Sequence, residues 1–535
     1  MSLPRIFTGG RLLTGAKPFL LERTQTALVV QDGVITYVGA DAGARAFASG
    51  APETPLGGRL VTPAFVDAHV HLVQTGQVMT GLDLAAAHSR EQVLSDVERF
   101  ARHHPGASVI VGQGWDDRGW PDPRPPQRTE LDRASGGAAV YLARVDVHSA
   151  VVSTALLEQL PGIEDELGFR PDGLLTREAH HRSRRQLDSL FTDAERRSAA
   201  RAALLRAAEA GLGAVHELGG PPLGPLQDLI RIREVAAEIG IDVVTYWGEL
   251  AGPESIERAH SVGAVGLAGD LCVDGSIGSR TAAVVEPYAD AETRGVRYLS
   301  LDEITEHVVV CTRAGLQAGF HCIGDDAVAA TVEGFRRAAR VVGEASVRDS
   351  RHRLEHVEML AGADVGDLAR LGVVASMQPA FDAAWGPPGQ LYEQRLGRHP
   401  AVAMNRLGTL DRAGVPLAFG SDSPVTPLAG WETVRAAVRH CQPGERMGVA
   451  AAFAAASRGG HAAARDERSG VLTVGAPATL AVWDGESASG FGAGEDMVSG
   501  FPDLGPDAVL PSCAVTMTRG RVIFAGPGFE QLSTL

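Results

Sequence analysis

A helix-like run closed by glycine and followed at once by a short apolar strand recurs along this chain, and no other feature limits its fold so strongly. Thr192-Asp193-Ala194-Glu195 has the form of a capping box, "RRSAARAALLRAAEA" continues the helical pattern, and Gly211 leads into "GAVHE". Ser300-Leu301-Asp302-Glu303 starts the same series, Gly315 ends the helix, and "LQAGFH" follows. "ARLGVVASMQ" and "DRAGVPLAFGSD" repeat it. Parallel strands need helical crossovers, so serial units of this kind predict an α/β fold with a parallel sheet. Each strand-like run ends on polar or ionisable residues: His216 and Glu217, His321, Gln378 and Asp422. In a (β/α)8 barrel of the TIM type, that is the edge where active sites are built.

The two chain ends read differently. "RIFTGGRLLTG", "ALVVQDGVITYVG", "ATLAVWDG" and "CAVTMTRGRVIFAG" are short β-rich runs with hairpin signals at Gln31-Asp32-Gly33 and Arg519-Gly520-Arg521. Residues 1–60 and 470–535 are therefore expected to pair into one small β domain beside a barrel of residues 61–469. The stretch 115–185, with "WDDRGWPDPRPPQRTELDRAS", is rich in proline, arginine and acids, and reads as an insertion or lid over the barrel mouth. A chain of 535 residues is long enough for such a barrel plus a small domain.

Charge and cysteine content narrow the function classes. The 49 Lys+Arg against 65 Asp+Glu give a formal net charge of -16, which repels polyanions. No nucleic-acid or anionic-membrane partner is expected; a small molecule is, and a homo-oligomer stays open. Cysteines 272, 311, 322, 441 and 513 form no C-x-x-C pair, so reduced thiols in the cytoplasm are the simplest reading. "MSLPRIFTGGRLLTG" lacks the continuous apolar core of a signal peptide.

The residues with most chemical meaning lie in "VTPAFVDAHVHL", where His69 and His71 end an apolar run. On an extended strand, residues i and i+2 face the same way, so both rings are presented to one side. Two imidazoles from one strand supply half of a tetrahedral shell for a borderline metal such as zinc. His321, His356 and Asp422 stand at the ends of three later strand-like runs, "QAGFH", "HRLEH" and "LAFGSD". Ligand-type residues at successive strand ends point to a metal site.

In this company the sequence resembles the amidohydrolase superfamily, and within it the family 3 branch that contains N-substituted formamide deformylases. "PAFVDAHVHL", "GQGWDDRGW", "VYLARVDVHSAVVSTALL", "DGSIGSRTA", "HCIGDDAV", "RLEHVEM", "SMQPAF" and "SDSPV" carry the resemblance in family order. It implies a distorted (β/α)8 barrel and a β-sandwich made from both chain ends. It also implies that His69, His71, His321 and His356 are metal ligands. Asp422 becomes the eighth-strand aspartate near the metal, which takes a proton from the attacking water and passes it to the leaving nitrogen. By itself "FGSDSPV" is also good turn grammar for Asp422.

One departure bears on the metal count. Many relatives carry a carboxylated lysine four residues before the aspartate of "DGS", whereas "GDLCVDGS" places Asp270 there. Aspartate forms no carbamate, so Asp270 either ligates directly or hydrogen-bonds to a ligating histidine. One tightly bound zinc, or iron in its place, is the expected load, with a weaker second ion left open. Glu217 is a further candidate ligand or a solvated acid. Trp115, Asp116 and Trp120 would line the mouth or pack in the core; Arg280 would hold substrate or a salt bridge; Gln378 would bind substrate or the backbone. Asp146 and His148 in "RVDVH" match a family Asp-Gly-His segment, with Val147 in the place of glycine. The expected function is hydrolysis of a non-peptide C–N bond in an amide, N-substituted formamide or cyclic amide by metal-activated water. Deamination of a heterocyclic amidine uses nearly the same residues, and a non-catalytic small-molecule binder is the third class.

Overall fold

Eight parallel strands form the central sheet of a computed structural model that describes residues 3–15, 24–117, 120–144, 149–485 and 500–532. In chain order they are β1 (Phe65–Val70), β2 (Leu212–Gly219), β3 (Asp242–Trp247), β4 (Gly266–Leu267), β5 (Gln317–Cys322), β6 (Arg353–His356), β7 (Val374–Met377) and β8 (Leu417–Phe419). Their spatial order is their sequence order. The sheet closes through the backbone: Asp422 N donates to His69 O at 2.8 Å, and His71 N to Ser423 O at 3.0 Å. Every residue of β1 and β2 is buried. That is the pattern of parallel strands covered on both faces, and the polar residues among them must find partners inside the protein.

Local signals place the crossover helices. Helix Leu301–Ala314 begins at a reciprocal capping box, in which Ser300 N donates to Glu303 Oε2 at 2.8 Å and Glu303 N to Ser300 Oγ at 3.2 Å. Gly315 ends it at φ +72°. The Thr192–Glu195 box starts helix Asp193–Glu209 in the same way, at 2.8 and 3.3 Å.

Both chain ends enter the sandwich. One sheet has Glu53–Pro55, Arg5–Thr8, Ala27–Gln31 and Val34–Gly39; the other joins Arg11–Leu12 and Leu60–Pro63 to Leu480–Asp484, Ser512–Thr518 and Arg521–Ala525. Phe7, Leu28, Leu480 and Val515 share its core. Two hairpins turn on two-residue loops, Asp32-Gly33 (φ +51° and +80°) and Arg519-Gly520 (φ +48° and +81°). Positive φ at both central residues is what a type I′ turn requires.

A second compact unit comprises Leu72–Ala203 and Pro222–Ile232. Its sheet runs Leu174–Thr176, Ser149–Val152, Val140–Arg144, Ile110–Trp115, Leu82–Asp83. The 115–185 stretch belongs to this unit, but the unit begins well before residue 115. Residues 72–114 carry ordinary helix and strand patterning, so composition gives no mark of where it starts. Among the described residues no helix is long and apolar enough to cross a membrane.

Phe65 at the start of β1 meets Trp431, Phe453 and Trp483 edge-on, with centroids 5.1, 5.4 and 5.5 Å away. The ring is 1% exposed. Phe65→Ala is expected to cost about 3–5 kcal/mol, seen as an earlier denaturant transition in tryptophan fluorescence; an unchanged midpoint would show that the cluster is not a stabilising core.

Candidate metal centre

Four histidines at the C-terminal ends of β1, β5 and β6 point one ring nitrogen at a common centre and use the other to hold position. His69 Nδ1 donates to Glu355 Oε2 at 2.9 Å, and His71 Nδ1 to Leu218 O at 3.1 Å. His321 Nε2 donates to Gly275 O at 3.3 Å, and His356 Nδ1 to Gln378 Oε1 at 2.8 Å. Each outward hydrogen bond fixes the tautomer and leaves a lone pair on the inward nitrogen. Those inward nitrogens face two carboxylates. His69 Nε2 lies 3.3 Å from Asp422 Oδ1 and 3.5 Å from Asp270 Oδ1; His71 Nε2 lies 3.1 Å from Asp422 Oδ1 and 3.1 Å from Asp270 Oδ2.

Bonds of about 2.0–2.2 Å to a tetrahedral zinc ion put its donor atoms about 3.3–3.6 Å apart. The four contacts among His69, His71, Asp422 and Asp270 fall close to that edge length. His69 Nε2 and Asp270 Oδ1 are moreover buried with no hydrogen-bond partner among the described residues. Buried polar atoms are ordinarily satisfied. Lone pairs and anionic oxygens with no donor between them make a set that fits a divalent cation. Of the three groups with ligand geometry among the described residues, two lie here, His69–His71–Asp422 and His69–Asp270–His356; the third is Asp382–His440–Cys441.

The electrostatics agree. Burial opposes a charge on His69, yet Asp422 and Asp270 push its pKa up to about 10. They raise that of His71 as well. Burial likewise works against the carboxylates, but His69 and His71 hold Asp422 and Asp270 below the usual range. The centre therefore favours positive charge, which a proton on the inward nitrogens supplies when no cation is bound and which a divalent cation would displace.

Residues that the sequence reading passed over fix this geometry. Arg353 and Glu355, both fully buried in β6, form an ion pair with Nε–Oε1 at 2.5 Å. Arg353 also donates to Ala68 O at 2.6 Å, Ser376 Oγ at 3.0 Å and His216 Nδ1 at 3.1 Å, and its guanidinium lies 4.5 Å from the Tyr246 ring centroid. Asp274 accepts from Ala283 N, Ile323 N and Gly324 N at 2.8–3.0 Å, pinning the "DGS" loop to the end of β5. Asp67 accepts from His69 N at 3.1 Å and Ser421 N at 2.9 Å. The signal for Arg353 and Glu355 was their i, i+2 spacing in "HRLEH", which turns both toward one face of a strand. His356 leaves that alternation at φ +70°, and Asp422 has φ +54°, a region that side chains other than glycine occupy at a cost.

The other predicted residues have separate settings. Glu217 is buried in β2 and belongs to neither ligand group. Gln378 spends its carbonyl on His356, and its Nε2 is buried without a hydrogen-bond partner among the described residues. Arg280 makes a two-pronged pair with Asp290 at 2.9 and 2.7 Å. Trp115 and Asp116 belong to the second unit. There the Trp115 indole is buried and donates to Leu142 O at 2.9 Å, Trp120 donates to Ala87 O at 3.1 Å, and Asp116 pairs with Arg144 at 2.9 Å. Asp146 and His148 lie outside the described residues.

Residues 55–524 match the model of the amidohydrolase family, and the chain belongs to that family. It is 27% identical over 448 residues to Protein LONG AFTER FAR-RED 3 of Arabidopsis thaliana, covering 78% of this chain and 75% of that one. It is 23% identical over 499 residues to the N-substituted formamide deformylase of Arthrobacter pascens, covering 86% and 90%. An uncharacterized metal-dependent hydrolase from Pyrococcus furiosus shares the fold with a TM-score of 0.77 at 25% identity, covering 90% of this chain and 99% of that one.

Glu355→Gln removes the charge that offsets Arg353 while keeping the side chain's shape. Leaving one member of a buried pair alone costs about 3–5 kcal/mol. Glu53→Gln, at the solvent-exposed pair with Arg45, is the control and should shift the denaturation midpoint far less. Equal denaturation midpoints for the two variants would mean that the buried pair carries no special weight.

Proposed function

We propose that this chain is a metal-dependent hydrolase of a non-peptide C–N bond, in an amide, an N-substituted formamide or a cyclic amide. The observation that carries the proposal is the convergence of four histidines, each with its outer nitrogen hydrogen-bonded and its inner lone pair turned to Asp270 and Asp422. Membership of the amidohydrolase family and the fold shared with the metal-dependent hydrolase from Pyrococcus furiosus support it. The similarity to an N-substituted formamide deformylase supports the bond type.

His69, His71 and Asp422, with Asp270, would hold the ion; two imidazole nitrogens with carboxylate oxygens suit zinc, with iron the alternative. When bound, the ion supplies a Lewis acid that polarises a carbonyl and makes water a better nucleophile. Asp422 is the residue we assign to the proton. Its carboxylate is ionised at neutral pH, sits at the centre, and can accept a proton from water and return it to the leaving nitrogen. Glu355 and Gln378 act on the histidines, holding His69 and His356 in the tautomers that leave the centre free of ring protons. Gln378 Nε2 would remain to donate to a substrate carbonyl. We further propose a small-molecule substrate and a cytoplasmic location; free thiols at all five cysteines support a reducing compartment.

Turnover screening over N-formyl amines, cyclic amides and aminopyrimidines tests the bond type: formate or carboxylate release is expected, and ammonia from an aminopyrimidine alone would replace this reading with deamination. On the substrate so found, Asp422→Asn should lower kcat by about 10²–10⁴-fold with circular dichroism unchanged. An Asn variant that keeps at least half the wild-type rate would rule out Asp422 as the proton carrier. Chelation should abolish turnover and added zinc restore it; full activity in metal-free protein would refute the proposal as a whole.

A further inference from the structure

We propose that the cavity at the amino-terminal ends of β7 and β8 binds a small apolar carboxylate, held by Arg458. This site lies at the end of the barrel opposite the four histidines, and it does not depend on the hydrolase reading.

The cavity has a volume of about 910 Å3, within the range of about 300–1,000 Å3 usual for small-molecule sites. Val374 and Leu417, the first residues of β7 and β8, line it together with Val415 and Pro416. Two helices complete it with alanines. Ala451, Ala454 and Ala455 follow i, i+3, i+4 spacing on helix Val449–Ala455 and so share a face, while Ala462 and Ala463 come from helix Arg458–Ala463. Protein interiors are ordinarily filled to close packing. One-carbon side chains on both helices leave this space open and apolar.

Charge is the second observation, and it points to the ligand's head group. Arg348, Arg351 and Arg458 line the cavity against Asp411 and Glu467, which leaves one positive charge in excess. Two of the guanidinium groups are occupied. Arg348 Nε donates to Arg370 O at 2.9 Å, and Arg351 pairs with Glu467 and donates from Nη1 to Ala462 O at 2.7 Å. Arg458 is half-buried and has no ion pair and no side-chain hydrogen bond among the described residues. A guanidinium carries donors in a fixed fork that matches the two oxygens of a carboxylate. A single excess charge with Asp411 close by disfavours a dianion such as a phosphate monoester. The backbone under Arg458 is held on two sides: a Cβ at Gly459 would stand 2.2 Å from Leu417 O, and one at Gly470, with φ +79°, would stand 2.6 Å from Arg458 Cα. Glycine at both positions lets the chain close there, so the start of the Arg458 side chain is fixed at the cavity.

The test is isothermal titration calorimetry of the full-length protein with octanoate, octanol and acetate. Wild type should bind one octanoate per chain, whereas octanol, which lacks the charge, and acetate, which lacks the apolar body, should bind about tenfold more weakly or not at all. Arg458→Gln should weaken octanoate about tenfold or more and leave octanol unchanged; Arg458→Lys, which keeps the charge without the fork, should fall between. Ala454→Leu should weaken octanoate and octanol alike, with circular dichroism unchanged. His69→Ala should bind octanoate as wild type does, which separates the cavity from a carboxylate held at the metal centre. Wild type that binds no octanoate, Arg458→Gln that binds it as wild type does, or loss of binding in His69→Ala overturns the proposal. A wild-type dimer that Arg458→Gln dissociates, with no octanoate bound, assigns this face to a second copy of the chain and overturns it as well.

Discussion

The centre depends on a guanidinium with no access to water. Arg353 rises from β6 into the barrel interior and finds its partners on β1 (Ala68 O), β2 (His216), β3 (the face of Tyr246), β6 (Glu355) and β7 (Ser376). A buried charge is tolerable only when its donors are all met, and a well-packed apolar replacement is often no less stable. The value of this pair is thus one of placement. Glu355, drawn tight against Arg353, has a second oxygen left for His69 Nδ1, so five strands contribute to the angle of one ring. Burial would raise the Glu355 carboxyl, but Arg353 and His69 bring it down to about 2, and it stays an acceptor at any ordinary pH.

Much of the site was legible in the sequence because strand periodicity is strict. The i, i+2 spacing of His69 and His71 is enough to turn two rings together, and both meet Asp422 Oδ1 at 3.1–3.3 Å. His321, His356 and Asp422 could be read because each ends a strand-like run. Arg353 and Glu355 could not be valued from "HRLEH", since what makes them matter is partners on other strands. Asp270 was ambiguous for a related reason: β4 has two residues, too few for a pattern. Trp115, Asp116 and Arg280 show the opposite difficulty. Indole, carboxylate and guanidinium suit a substrate pocket as well as a core or an ion pair, and the choice is made by neighbours that the sequence leaves unspecified.

The fold was legible where turn and cap chemistry is local. Capping boxes at Thr192 and Ser300, the left-handed Gly315, and the Asp32-Gly33 and Arg519-Gly520 turns are set within a few residues and stand where the pattern puts them. Pairing between the chain ends was expected from β-rich runs with hairpin signals and from the family resemblance, but not its register, because register across hundreds of residues has no local signature. The second unit starts ahead of the proline- and arginine-rich stretch 115–185, where composition shows no comparable change.

The union of the two chain ends in one sheet has a consequence for the order of events at the ribosome. Leu60–Pro63 pairs with Leu480–Asp484, and Arg59 reaches Asp484 across 425 residues. At about 5–20 residues per second, the amino-terminal strands wait on the order of 20 to 80 seconds for the partner that covers them. Throughout that interval Leu60–Pro63, whose four residues are all buried in the finished protein, presents an unpaired edge of the kind that invites pairing with another chain. Vectorial synthesis thus leaves the sandwich as the last part to be completed, and makes the nascent chain's need for protection greatest at its oldest end.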